Sequence, residues 1–107
     1  MRTTNQVDKT KVPLEFLNGK YRLRLLKISA CRKAVIYESI EGPVKYYEVH
    51  KIRIAKARTF PDGSQLPERE ILAGHTEYGK YAKAPVLLAR AEELFDKAVR
   101  GESWAEP

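Results

Sequence analysis

Residues 86–100 set Leu87, Leu88, Ala91, Leu94, Phe95 and Ala98 at helical spacing, and no other stretch of the chain carries so long a helical stripe. Pro85 stands where a first helical position tolerates proline, and Gly101 stands where a helix ends. Glu93 with Lys97 and Asp96 with Arg100 are spaced as i,i+4 pairs on the opposite side. Its apolar face must be buried, and the inner face of a sheet is the available partner.

The preceding sequence supplies strands. Lys20-Tyr21-Arg22-Leu23-Arg24-Leu25 alternates strictly, with Tyr21, Leu23 and Leu25 on one side and three cations on the other. The alternation breaks at Leu25-Leu26, which predicts a bulge or burial of both faces, with Leu26 and Ile28 as the apolar pair beyond it. Ser29 to Arg32 reads as a reversal, and residues 33–40 are rich in β-branched and aromatic residues and read as the central strand. Glu41-Gly42-Pro43 is a turn, and residues 44–57 read as one long strand whose phase slips near His50. Its Lys51 and Arg53 are expected to face solvent. The expected fold is α+β: an antiparallel β-meander of three to four strands packed against the C-terminal helix.

Other segments are less patterned. Residues 1–12 read as a loose polar arm, residues 13–101 as one domain and residues 102–107 as a tail. Residues 13–17 form a turn or short strand covering an edge of the core, closed by Asn18-Gly19. Phe60-Pro61-Asp62-Gly63-Ser64 is a turn, residues 65–73 a candidate fourth strand, and residues 76–83 a short helix capped by Thr76. Trp104, the only tryptophan, either folds back onto the domain or anchors a partner.

The chemistry of catalysis is missing from the pattern. The single cysteine, Cys31, permits no intramolecular disulfide and reads as a small, half-buried residue near a strand end. His50 and His75 are 25 residues apart and read as structural histidines, and the glycines are dispersed at turns instead of forming a phosphate loop. Glu68-Arg69-Glu70 reads as an exposed ion-paired edge. The chain is therefore expected not to be an enzyme and to use no cofactor or metal. No stretch approaches the about 20 apolar residues of a membrane span, and the first residues lack the apolar core of a secretory leader. A cytoplasmic protein is the expectation.

Charge points to a binding function. Residues 1–60 hold 14 Lys/Arg against 5 Asp/Glu, whereas residues 61–107 hold 6 against 9. Such an asymmetry suits a protein that meets a polyanion with one face. The candidate phosphate contacts are Arg22, Arg24, Arg32, Lys33, Lys45, Lys51 and Arg53, with Tyr21, Tyr37, Tyr46 and Tyr47 as rings on which bases could stack. The expected function is nucleic-acid binding through a basic sheet face. The alternative is a protein-binding module, such as a small phage-type inhibitor or adaptor that masks a partner's surface.

Two resemblances accompany this reading. The run Tyr46-Tyr47-Glu48-Val49-His50-Lys51-Ile52-Arg53, then Pro67-Glu68-Arg69-Glu70 and Tyr78-Gly79-Lys80-Tyr81-Ala82, resembles a pattern in small uncharacterised proteins of phages and mobile elements. It spans residues 44–82 and implies no activity. Tyr46-Tyr47-Glu48 together with Arg90-Ala91-Glu92-Glu93-Leu94-Phe95 resembles WGR-type domains, nucleic-acid-binding modules in which a β-meander precedes a helix. The Trp-Gly-Arg signature is absent, so no binding residue carries over from that likeness.

Overall fold

The computed structural model describes residues 10–104 other than Lys20, and of His75 the backbone alone. The alternating segments form strands as their pattern demands: β1 (Glu15–Asn18), β2 (Tyr21–Ile28), β3 (Ala34–Ser39) and β4 (Tyr47–Lys51). With β9 (Ala82–Val86) they make a five-stranded antiparallel sheet in the order β1-β2-β3-β4-β9. Helix α1 (Leu88–Val99) packs across β3, β4 and β9. The fold is α+β, a sheet with a C-terminal helix on one face.

The long strand expected over residues 44–57 is in fact broken. The chain leaves the sheet after Lys51 and enters a hairpin arm, in which β5 (Arg53–Ala55) pairs with β8 (Arg69–Ile71) and β6 (Arg58–Thr59) with β7 (Gln65–Leu66). The expected turn at 60–64 closes this arm through Phe60 N–H to Ser64 O at 2.8 Å. Residues 65–73 are thus extended, as expected, but their partner is the arm and not the meander. The phase slip near His50 marks the departure from the sheet.

The helix expected over residues 76–83 is a single 3-10 turn, His75–Glu77, followed by β9. Pro85 sits in β9 and not at the head of α1. A proline without an N–H is tolerated there because β9 is an edge strand, where one missing donor breaks no inner ladder. The helix begins at Leu88, two residues later than expected: Leu87 is its N-cap and lies 75% exposed. Ala91, Leu94, Phe95 and Ala98 carry the buried face, while Leu88 stays exposed beyond it. Arg100 takes Glu102 as its carboxylate partner at 2.6 Å.

Both faces of the sheet are apolar. On the helix side Ala34, Ile36 and Val49 meet Ala91, Leu94, Phe95, Ala98 and Trp104. Trp104 folds back as one of the two expectations held, buried and donating its indole N–H to Leu94 O at 2.8 Å. It joins the core, so the domain reaches past residue 101. On the other side Leu23, Val35 and Tyr37 pack with Phe16, Leu25, Ile28, Ile52 and Leu72. Leu26, expected to be the inward residue, is the bulged one and is exposed, because the register shifts between Leu25 and Lys27.

A polar clamp holds the second layer in place. Arg32 adopts a left-handed φ of 56° in the β2–β3 turn, and its guanidinium grips Glu70 of β8 through two bonds of 2.6 and 2.7 Å. Glu70 also accepts the Val12 N–H at 3.0 Å, and its own N–H donates to Thr10 O. The side chain of Glu70 is only 5% exposed, so Glu70 is ion-paired as expected but as a buried tie, while Glu68 stays exposed. Residues 10–12, read as part of the arm, pack here, with Val12 buried; residues 1–9 lie outside the described residues. Cys31 is exposed in the turn instead of half-buried.

Leu94→Ala removes a fully buried side chain between helix and sheet, and is expected to cost about 2–5 kcal/mol in urea unfolding. Leu87→Ala, from the same stripe but exposed, is expected to change stability by less than about 0.5 kcal/mol. Equal losses at both positions would place Leu87 in the core.

Candidate functional site

The seven basic residues singled out by sequence are dispersed. Arg22 and Arg24 project from β2 on the helix side of the sheet, opposite Leu17 and Glu15 of the edge strand. Arg24 is tied to Glu38 at 2.9 Å, and Lys45 approaches the other oxygen of Glu38 at 3.9 Å. Arg32 is held by Glu70, and Lys33 lies exposed in the same turn. Lys51 and Arg53 lie at the far end of β4, where the chain turns out of the sheet. Since Lys51 pairs with Ala34 and Arg24 with Glu38, the two groups stand at opposite ends of the ladder, with α1 covering the strands between.

Among the described residues, the Lys51–Arg53 end gathers further cations. A cleft of about 580 Å³ opens there between β4, β9 and the end of α1. Lys51, Lys80, Lys83, Tyr81 and Trp104 line it. The Lys51 ammonium lies 4.6 Å from the Trp104 ring centre, and Tyr81 has Arg53 at 4.0 Å and Lys80 at 5.2 Å. The rings thus act as seats that fix cations by quadrupole attraction. Lys51 and Arg53, expected to face solvent, are half-buried for this reason. Arg53 is also bonded to Glu77 at 2.6 Å, and Glu102 on the cleft rim is occupied by Arg100. Among the described residues, no carboxylate comes within 4.0 Å of Lys51, Lys80 or Lys83.

Lys80, Tyr81, Lys83 and Trp104 were not among the sequence candidates. The signal was present as Tyr78-Gly79-Lys80-Tyr81-Ala82-Lys83, an interleaving of rings and cations. Read as a helix, the segment hides the alternation that places Lys83 opposite Val49 on the helix side. The proposed stacking tyrosines divide differently as well. Tyr37 is buried and donates its hydroxyl to Pro13 O at 2.8 Å, and Tyr47 packs against the helix-side core. Neither presents a face to a base.

A second polar centre lies on the opposite sheet face. Glu48 and His50 alternate inward from β4 and are both buried. The Ala73 N–H lies 3.4 Å from His50 Nδ1, and His50 Nε2 is hydrogen-bonded to Glu48 Oε1 at 2.8 Å. The Tyr78 hydroxyl donates to the same oxygen at 2.8 Å, and Asn18 Nδ2 donates to the other. Burial pushes the Glu48 carboxyl up, but the hydrogen bonds from His50, Asn18 and Tyr78 outweigh it and hold the group below its ordinary value. Tyr78 is pushed well above the ordinary tyrosine range by burial and by the Glu48 charge. His50 is a satisfied structural residue, as expected, while the His75 side chain lies outside the described residues. Among the described residues no cluster of three metal-ligating side chains occurs, and no helix is long and apolar enough to cross a membrane.

Glu48→Gln tests this centre. A carboxyl held below its unfolded value of about 4.3 stabilises the fold above that pH, and the contribution is lost as pH falls through the lower folded value. The variant is expected to lose about 1–3 kcal/mol at neutral pH. Its deficit relative to the parent should shrink in acid, measured by urea unfolding across a pH series. A deficit independent of pH would mean that Glu48 is not ionised in the fold.

No known family model, no curated protein and no solved structure matches this chain.

Proposed function

We propose that this is a non-enzymatic, cytoplasmic nucleic-acid-binding domain that contacts phosphates at the cleft formed by Lys51, Lys80 and Lys83. The observation that carries this reading is the contrast in pairing. Arg24, Arg32, Arg53 and Arg100 each have a carboxylate partner, whereas these three lysines converge on one cleft without one among the described residues. Cations without an ion-pair partner, with Lys51 and Lys80 seated on rings, are suited to take up backbone phosphates and release condensed counterion. Trp104 is buried under Lys51, so its ring serves the cation and not a base. Contact is therefore to the backbone, with little dependence on sequence.

The reading differs from the initial expectation in where the phosphates sit. Lys51 and Arg53 remain at the site, while Arg22, Arg24 and Lys45 belong to the distant end and contribute to the long-range field. Lys80→Ala with Lys83→Ala is expected to flatten the dependence of log affinity on log salt by about 1–2 units for duplex DNA. Arg22→Ala with Arg24→Ala should leave that slope nearly unchanged. Fluorescence anisotropy of a labelled duplex and a labelled single strand over a salt series reads both. Absence of binding at low salt would overturn the proposal and favour a protein partner, for which exposed Leu14 and Leu17 on the β1 edge offer an apolar centre.

A further inference from the structure

A second cleft, of about 660 Å³, lies on the sheet face away from α1 and has walls of a different chemical character from those of the lysine cleft. Tyr21, Tyr46 and Tyr78 stand around it, Pro85 closes one side and Glu48 lies beneath. Tyr21 and Tyr46 meet edge to face, with ring centres 5.0 Å apart and planes at 87°, so they form two walls of a corner. Among the described residues that line it, Glu48 is the one with a charged side chain. In a chain of net charge +6, a cleft bounded by ring faces and a carboxylate is the exception.

A buried carboxylate lies beneath the rings. Glu48 is buried, with Asn18, Tyr78 and His50 as its hydrogen-bond partners. These bonds favour the ionised carboxylate, whose field acts through a medium of low dielectric. The Tyr46 hydroxyl is shielded from solvent and has no hydrogen-bond partner. Ring quadrupoles and the buried carboxylate therefore sum to one negative potential in a cleft whose surface is otherwise apolar. Metal ions and bare ammonium groups would lose hydration there without ligands to replace it. An ammonium whose nitrogen carries methyl groups loses far less and fits ring faces by cation–π attraction.

We infer that this cleft binds an alkylated ammonium group, with Tyr21, Tyr46 and Tyr78 as the walls and Glu48 as the fixed charge beneath them. The group can belong to a free quaternary amine or to a methylated lysine of a peptide, and the chemistry recognised is the same. The site is independent of the lysine cleft, although both are built from one segment: Tyr78, Ala84 and Pro85 face one, and Gly79 to Tyr81 with Lys83 face the other.

Amide NMR titration with choline, beside its uncharged isostere in which carbon replaces nitrogen, tests the inference. Choline is expected to move the Gly19, Tyr21 and Tyr78 amides and to bind at least about tenfold more tightly than the isostere. Tyr21→Leu keeps apolar area at an exposed position and should reduce choline affinity by about 5–10-fold with an unchanged circular dichroism spectrum. Glu48→Gln should weaken choline but not the isostere, and Lys80→Ala with Lys83→Ala should affect neither. A peptide carrying trimethyllysine, compared with its unmodified form, separates the two sources: selective binding tighter than choline assigns the ligand to a protein tail, and binding no tighter than choline assigns it to a small amine. Equal affinity for choline and its isostere, or choline-induced shifts confined to the Lys51 cleft, would overturn the inference.

Discussion

Four consecutive residues of β3, Ala34 to Tyr37, are wholly buried, and the remainder of the architecture follows from that. Successive side chains of a strand point to opposite faces, so a run with no exposed member requires a cover on each side of the sheet. One cover is α1, seated on Ala34 and Ile36. The other is assembled from Phe16, Ile52, Leu72 and the chain near Val12, pieces too short to bury a face on their own. The Arg32–Glu70 clamp with the Val12 N–H binds those pieces to the turn that begins β3. The helix layer is held by apolar contact, and the second layer owes its register to directional bonds.

The two layers give the two ends of the sheet different chemistry. On the helix side, the tail returns to bury Trp104 and brings its ring under Lys51. On the far side, the inward positions of β4 are Glu48 and His50 instead of aliphatic residues, and a buried carboxylate must collect donors from Asn18, His50 and Tyr78. Burial of an ionised group is tolerated only with such satisfaction. The same donors draw β1, β4 and the segment before β9 together, so the polar centre is also a structural junction. Segment 78–85 passes between the two clefts, which places a cation-rich surface and an anion-floored one on successive residues of one short stretch.

The strands β2 and β3, the turn at residues 60–64 and the buried face of α1 were legible because each is written in local periodicity or turn chemistry. The helix start was misplaced by the run Leu87-Leu88, whose hydrophobicity continues the stripe although the sheet offers nothing there to cover it. Segment 76–83 misled for a different reason. Its intrinsic preferences are weak, and the vacant edge of β4 decides its conformation by offering a ladder to β9.

The sequence by itself determined that this chain folds as strands followed by one amphipathic helix, and that its positive charge is concentrated in the first 60 residues. Charge along a chain carries no information about which carboxylate will stand beside each cation. Tertiary structure alone paired Arg24 with Glu38, Arg32 with Glu70 and Arg53 with Glu77, and it left Lys51, Lys80 and Lys83 together at one cleft. It alone also set Tyr21, Tyr46 and Tyr78 around the carboxylate of Glu48, residues drawn from β2, the entry to β4 and the link to β9. Those juxtapositions depend on sheet register and on which layer covers which face, and both are fixed by contacts between residues distant in sequence.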